Sequence, residues 1–219
     1  MLPSHPMKIR VKICGITSIN DALNVCDSGV DAIGLVFYAK SPRNVSIPQA
    51  SKICASLPPF VSSVGLFLNA STEFVDSVLA SVPIDLLQFH GSESPEYCAS
   101  FNHPYIKVIG MKDVDTFEKF DAIAKQYPDA QGFLVDSHAT GKAGGTGQTF
   151  EWSNTPLDYE KPIILAGGLN PDNIASAIRQ APVYGYDLSS GVEQNPGIKD
   201  KQKIIQLMNE VQRVQCEQQ

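Results

Sequence analysis

The run Val11-Lys12-Ile13-Cys14-Gly15 ends a β-branched stretch in a thiol followed by a glycine. Side chains alternate along a strand, so Lys12 and Cys14 share one face while Val11 and Ile13 share the other. If the apolar face packs on surrounding helices, the ammonium and the thiol point the opposite way together. An ammonium beneath a thiol favours the thiolate, and a thiolate serves as base or nucleophile. Far along the chain, Gly132-Phe133-Leu134-Val135-Asp136 ends an apolar run in a carboxylate. Placed opposite Cys14, Asp136 supplies a second titratable group of a different type, so that one group takes a proton while the other gives one. Each residue also has a plain structural reading, Cys14 as a small buried hydrophobe and Asp136 as a loop cap.

Other residues suit anion binding. Three glycine-bearing stretches, "AGGTG" (143–147), "AGGLN" (166–170) and "DLSSGVE" (187–193), follow Asp136. Glycine lets backbone N–H groups approach an anion, and the hydroxyls of Ser189 and Ser190 add donors. Gly167, Gly168 and Gly191 complete this candidate phosphate cradle, although tight-turn chemistry explains any one glycine pair. In "YAKSPRNVS", Arg43 can clamp a carboxylate through its planar guanidinium, or lie solvated at the surface. In "LLQFHGSE", alternation puts Gln88 and His90 on one face, with His90 either a donor or acid-base group or a satisfied structural histidine. The four histidines (5, 90, 103 and 138) have no metal-site spacing, and no metal is expected.

The elements that must position these residues are short apolar runs at 8–14, 31–37, 61–68, 84–90, 105–109, 132–136, 162–166 and 184–188. Helical periodicity fills the gaps at 19–28, 48–57, 71–81, 95–102, 115–126, 171–180 and 199–214, while 137–156 lacks a long helix and holds the glycine-rich segment. Alternating βα units in one domain leave an open doubly wound sheet or a closed barrel. Eight strand candidates without a GxGxxG after the first favour closure, so the expected fold is α/β, a single-domain (β/α)8 TIM barrel. Its expected bounds are 7–214, with 1–6 an N-terminal extension and 215–219 a C-terminal tail. In this fold the chemistry sits at the C-terminal strand ends, where Cys14 and Asp136 fall, and phosphate commonly binds at the loops after strands 7 and 8.

Composition narrows the function classes. The 219 residues carry 17 basic and 23 acidic side chains, a formal net charge of -6, and no Lys/Arg block. That balance argues against nucleic acid or anionic lipid as a partner. Hydrophobic residues make up 43% and charged residues 18%, as in a soluble globular protein, and no run is long enough to span a bilayer. Five cysteines without CxxC spacing suggest neither a disulfide framework nor a zinc cage and fit a reducing cytoplasm. "MLPSHPMKIR" contains no apolar signal region.

In order along the chain, "KICGIT", "GLVFYAKSPR", "VGLFLN", "LQFHG", "FLVDS", "GGTG", "LAGGLNPDNI" and "DLSSGVE" resemble the phosphoribosylanthranilate isomerases, (β/α)8 enzymes of tryptophan biosynthesis, over residues 8–210. The resemblance implies an Amadori rearrangement of N-(5-phosphoribosyl)anthranilate to 1-(2-carboxyphenylamino)-1-deoxyribulose 5-phosphate without a cofactor. By position it implies Asp136 as general acid, Cys14 as general base, Arg43 as the grip on the anthranilate carboxylate, and Gly167, Gly168, Ser189, Ser190 and Gly191 as the phosphate cradle. His90 and Asp187 are expected to contact substrate, Asp187 by fixing its amine or by pairing with Lys12. The expected partner is this phosphorylated sugar-anthranilate, and the expected assembly a monomer or homodimer.

Four rivals share features with this reading. Barrels that isomerise the analogous histidine-pathway intermediate use two carboxylates, whereas Cys14 stands here. Indole-3-glycerol phosphate synthase needs a catalytic lysine and a longer N-terminal extension, so a monofunctional isomerase is expected. A binding module that has lost its chemistry would need neither Cys14 nor Asp136, and a metal-dependent pentose phosphate epimerase would need inward histidine and carboxylate ligands.

Overall fold

The computed structural model of the chain describes residues 8–137 and 152–218. Strands β1 (Arg10–Cys14), β2 (Ala32–Val36), β3 (Ser62–Phe67), β4 (Leu86–Phe89), β5 (Tyr105–Gly110), β6 (Gly132–Asp136), β7 (Ile163–Leu165) and β8 (Gly185–Leu188) close into a barrel in chain order. All neighbours are parallel, and β8 closes on β1 with Lys12 paired to Asp187. Each strand falls at one of the apolar runs expected from the sequence, because strands buried on both faces need nearly continuous apolar stretches.

Helices α1 (Ile19–Asp27), α2 (Ile47–Ala55), α3 (Thr72–Leu79), α4 (Pro95–Ser100), α5 (Phe117–Ala124), α6 (Ile174–Gln180) and α7 (Lys201–Glu217) surround the strands. Their starts are locally encoded. Ser18, Ser46, Ser71, Ser94 and Thr116 each accept a backbone N–H of the first turn, and Pro48 and Pro95 sit where a missing N–H costs nothing. Each helix differs from the sequence reading by one to three residues at one or both ends, and two of the shifts have a clear cause. α6 begins at Ile174 rather than at Pro171, because the Asn170 side chain accepts from the N–H groups of Asp172 and Asn173 and holds the intervening residues in a turn. α7 runs through Glu217, past the boundary expected at 214, with Gln215 accepting the Ile9 N–H and Glu217 paired with Arg179 and Arg213.

The alternation inferred for β1 holds. Ile9, Val11 and Ile13 join the large apolar layer between strands and helices, whereas Cys14 packs inside the barrel against Val36 and Leu66. Deeper inside, Ile106, Val108, Leu134 and Ala166 fill the lumen, so the barrel interior is a packed core. After β8, a short 3-10 turn (Ser190–Val192) leads into an antiparallel hairpin of β9 (Glu193–Asn195) and β10 (Ile198–Lys199), which the sequence reading did not anticipate, assigning Lys199 to the start of its last helix. The "AGGTG" stretch lies outside the described residues. Among the described residues, no helix is long and apolar enough to cross a membrane.

Candidate active site

The strand ends bring most of the expected residues to one cavity. From β1 and β6 come Cys14 and Asp136, from the end of β4 come Gln88 and His90, and Asp187 comes from β8. Gly167, Gly168, Ser189 and Ser190 form another part of its lining. Arg43 enters from the loop after β2, beside Tyr38 and Ser41. Val36, Leu66 and Leu68 add apolar wall. Gly191 stands behind the lining, tight against the Leu169 carbonyl, where a Cβ would meet the oxygen at 2.0 Å.

Beneath Cys14, Lys12 donates from Nζ to Asp187 Oδ1 at 2.8 Å, with both side chains buried. Burial works against the ammonium, but Asp187 and Cys14 outweigh it and hold the Lys12 pKa above its ordinary value. Cys14 itself is pushed up by burial and by the Asp187 carboxylate, against the opposing pull of Lys12 and Lys199. The sequence reading, in which Lys12 favours the thiolate, has the direction of that one interaction right and the balance wrong. Loss of water around the sulfur outweighs an ammonium already shared with a carboxylate.

His90 is buried, and its Nε2 lies 3.8 Å from Asp136 Oδ2, near the carboxylate but beyond a hydrogen bond. Burial lowers its pKa, helped by the ammonium groups of Lys107 and Lys12 and opposed by Asp136. The imidazole is therefore neutral at neutral pH. Among the described residues, His90 Nδ1 and Gln88 Oε1 are buried and meet no hydrogen-bond partner. Two unpaired polar atoms on residues that line one cavity are suited to a polar ligand, since leaving them unpaired is costly.

The chain around His90 is held from beneath. Lys107 Nζ donates to the carbonyls of Phe89 and Gly91 on either side of it, at 3.3 and 2.5 Å, and to Glu93 Oε2 at 2.9 Å. Glu93 Oε1 in turn accepts the N–H groups of Asn69 and Gly91. Sequence reasoning gave Lys107 and Glu93 no role. The available signal was a lysine in the middle of the apolar run "YIKVIG", which needs a buried partner.

Arg43 is also more constrained than its rim position suggested. Its Nε and Nη2 donate to the two oxygens of Glu193 at 2.8 and 2.7 Å, and Lys199 Nζ donates to Glu193 Oε1 at 2.7 Å. Against the cost of burial, these hydrogen bonds and charges hold the Glu193 carboxyl below its usual range. Neither Glu193 nor Lys199 was singled out from the sequence.

The glycine loop after β7 presents backbone. Asn170 and Asn173 donate side-chain N–H groups to the Gly168 carbonyl, turning it away from ligand duty. Among the described residues, neither Gly167 nor Gly168 gives its N–H to a backbone carbonyl. Free N–H groups beside the Ser189 and Ser190 hydroxyls are the components of an anion site.

A family model described as N-(5'-phosphoribosyl)anthranilate (PRA) isomerase matches residues 11–210. Among similar proteins, the N-(5'-phosphoribosyl)anthranilate isomerase of Pseudomonas fluorescens strain Pf-5 is 53% identical over 94% of this chain and 96% of its own length. That of Alcanivorax borkumensis is 50% identical over 92% and 94%. Among solved structures, the Thermotoga maritima isomerase matches with a TM-score of 0.82 and 38% identity over 94% of this chain and 99% of its own. A phosphoribosylanthranilate isomerase structure in complex with reduced 1-(o-carboxyphenylamino)-1-deoxyribulose 5-phosphate matches with a TM-score of 0.80 and 36% identity over the same shares. With the match spanning almost the whole barrel and the relatives covered nearly end to end, the chain belongs to the phosphoribosylanthranilate isomerase family, the aldose-ketose isomerases of tryptophan biosynthesis.

Proposed function

We propose that the isomerisation of N-(5'-phosphoribosyl)anthranilate in this chain is carried by Asp136 as general acid and Cys14 as general base. In the first step, protonated Asp136 gives its proton to the ribose ring oxygen. The C1'–O bond breaks as the anthranilate nitrogen lone pair forms a C1'=N iminium. The thiolate of Cys14 then takes the C2' proton. The released pair forms the C1'=C2' bond, and the iminium π pair returns to nitrogen, giving an enolamine. Ketonisation places a proton on C1' while the C2' hydroxyl gives one up, which restores both protein groups and yields 1-(2-carboxyphenylamino)-1-deoxyribulose 5-phosphate.

The iminium is its own electron sink, so this sequence calls for no cofactor or metal. Neutral His90 is suited to donating or accepting a hydrogen bond at the sugar. Asp187, paired with Lys12, keeps that ammonium beneath the thiol and is available to the substrate amine. The phosphate belongs at Gly167, Gly168, Ser189 and Ser190, with Gly191 shaping the loop behind them. The reduced product analogue bound in a solved structure of a phosphoribosylanthranilate isomerase carries the same phosphate and carboxylate. The anthranilate ring suits the wall of Val36, Leu66 and Leu68, with its carboxylate at Arg43. We further propose one catalytic domain over residues 7–214, acting in the cytoplasm as a monomer or homodimer on this small molecule, with no nucleic-acid or membrane partner. A dimeric form is named for the Thermotoga maritima relative.

The observation that carries the reading is the meeting of Cys14, Asp136 and the two anion loops in one cavity. Turnover of Asp136→Asn tests the acid. The substitution keeps the shape and removes the proton, so kcat is expected to fall by about two to four orders of magnitude, the usual worth of a positioned acid. A kcat near that of the wild type would reject the role.

A further inference from the structure

Glu193 and Lys199 face each other in the register of the β9–β10 hairpin, and both are buried. The carboxylate of Glu193 lies between two cations. Oε1 receives both Arg43 Nε and Lys199 Nζ, while Oε2 receives Arg43 Nη2. Lys199 Nζ also donates to the Ser189 carbonyl at 3.2 Å, and Lys203 Nζ donates to the Glu193 carbonyl at 2.8 Å. The hairpin is thus fixed to the loop after β8 on one side and to α7 on the other. The Arg43 stem crosses directly over Gly15, where a Cβ would meet Arg43 Cδ at 2.5 Å, so the guanidinium reaches Glu193 by passing beside Cys14.

We propose that Glu193 is a positioning residue that sets which edge of the Arg43 guanidinium faces the substrate. The proposal rests on the reading that Arg43 grips the anthranilate carboxylate. A guanidinium is planar and offers two parallel-donor edges. Glu193 takes the Nε/Nη2 edge, and planarity turns the edge formed by Nη1 and the other Nη2 hydrogen away from it. That second edge suits bidentate pairing with a carboxylate. Charge fits as well. Arg43, Glu193 and Lys199 together carry one excess positive charge, which a substrate carboxylate neutralises in a poorly hydrated setting. Lys199 keeps Glu193 from following the substrate, because it holds Oε1 from the far side. Without Glu193, Arg43 would keep its charge but lose its fixed plane.

The test is a double-mutant cycle on KM, using Arg43→Ala, Glu193→Ala and the two combined, repeated with Glu193→Gln, which keeps the side-chain volume and one acceptor. Glu193→Ala is expected to raise KM roughly tenfold or more with kcat largely kept, the pattern of lost ground-state binding. Glu193→Gln should give a smaller rise, and the double variants should match Arg43→Ala alone, since Glu193 acts only through that residue. The inhibition constant of inorganic phosphate should stay unchanged throughout. If Arg43→Ala leaves KM unchanged, the carboxylate-grip reading fails and the proposal with it. If Arg43→Ala raises KM but both Glu193 variants leave it unchanged, the proposal alone is overturned. Additive losses in the double variants, or a weaker phosphate constant in the Glu193 variants, likewise overturn it by locating the effect away from Arg43.

Discussion

Lys12 Nζ lies 2.8 Å from Asp187 Oδ1 inside the barrel, so the ammonium beneath Cys14 is already paired with a carboxylate. This pairing explains why Cys14, despite a cation beside it, has its pKa raised rather than lowered. In the proposed mechanism a base that rests as a thiol is still competent, since an iminium makes the neighbouring C–H acidic. On that mechanism the ionised fraction of the thiol sets how much enzyme is ready to react.

The sign of the pH dependence follows. A raised thiol pKa leaves a minority of Cys14 ionised at neutral pH, and that fraction grows as pH rises toward the pKa. In Asp136→Asn, where no titrating acid offsets the gain, the residual kcat/KM is therefore expected to climb from about pH 7 to about pH 9, across the ordinary thiol range. A profile that is flat there, or that falls, would show that ionisation of Cys14 does not limit the reaction.

Replacing Lys12 by Met removes the charge that opposes the upward shift of Cys14, so the alkaline limb should move to still higher pH. The same change strands Asp187 without its cation and is expected to cost about 3 to 5 kcal/mol of stability, typical for breaking a buried ion pair. Pairing Lys12→Met with Asp187→Leu should return much of that stability without returning activity. Urea unfolding and a pH-rate profile of both variants check the two halves separately.

Gly191 is placed where no side chain fits, with a would-be Cβ 2.0 Å from the Leu169 carbonyl oxygen. Gly191→Ala must push apart the loops after β7 and β8, at a cost of about 1 to 3 kcal/mol for such overpacking. If these loops hold the phosphate, KM and the inhibition constant of inorganic phosphate should rise together, with kcat less affected. An unchanged phosphate constant would remove the phosphate from these loops.

The barrel and the placement of Cys14 and Asp136 at strand ends facing one cavity were legible for physical reasons. Strands enclosed on both faces leave uninterrupted apolar runs, and alternation along Val11-Lys12-Ile13-Cys14 assigns the thiol to the lumen without coordinates. Glu193 was not legible as the partner of Arg43, because the two are 150 residues apart and only barrel closure with the hairpin after β8 brings them together. Nor was the direction of the Cys14 pKa, which depends on how much water the folded lumen excludes rather than on which neighbour is charged. The start of α6 was misplaced because the turn at Asn170 satisfies the backbone with a side chain, a local competitor that a proline-first reading overlooks.

The most direct test of the account is the loss of anthranilate fluorescence when freshly generated N-(5'-phosphoribosyl)anthranilate meets wild-type protein or Cys14→Ala, corrected for spontaneous hydrolysis. The account predicts that Cys14→Ala stays folded and binds the reduced product analogue, while kcat falls by about two to four orders of magnitude, as expected for loss of a positioned base. A Cys14→Ala enzyme that turns over at close to the wild-type rate would contradict it and require a different base at C2'.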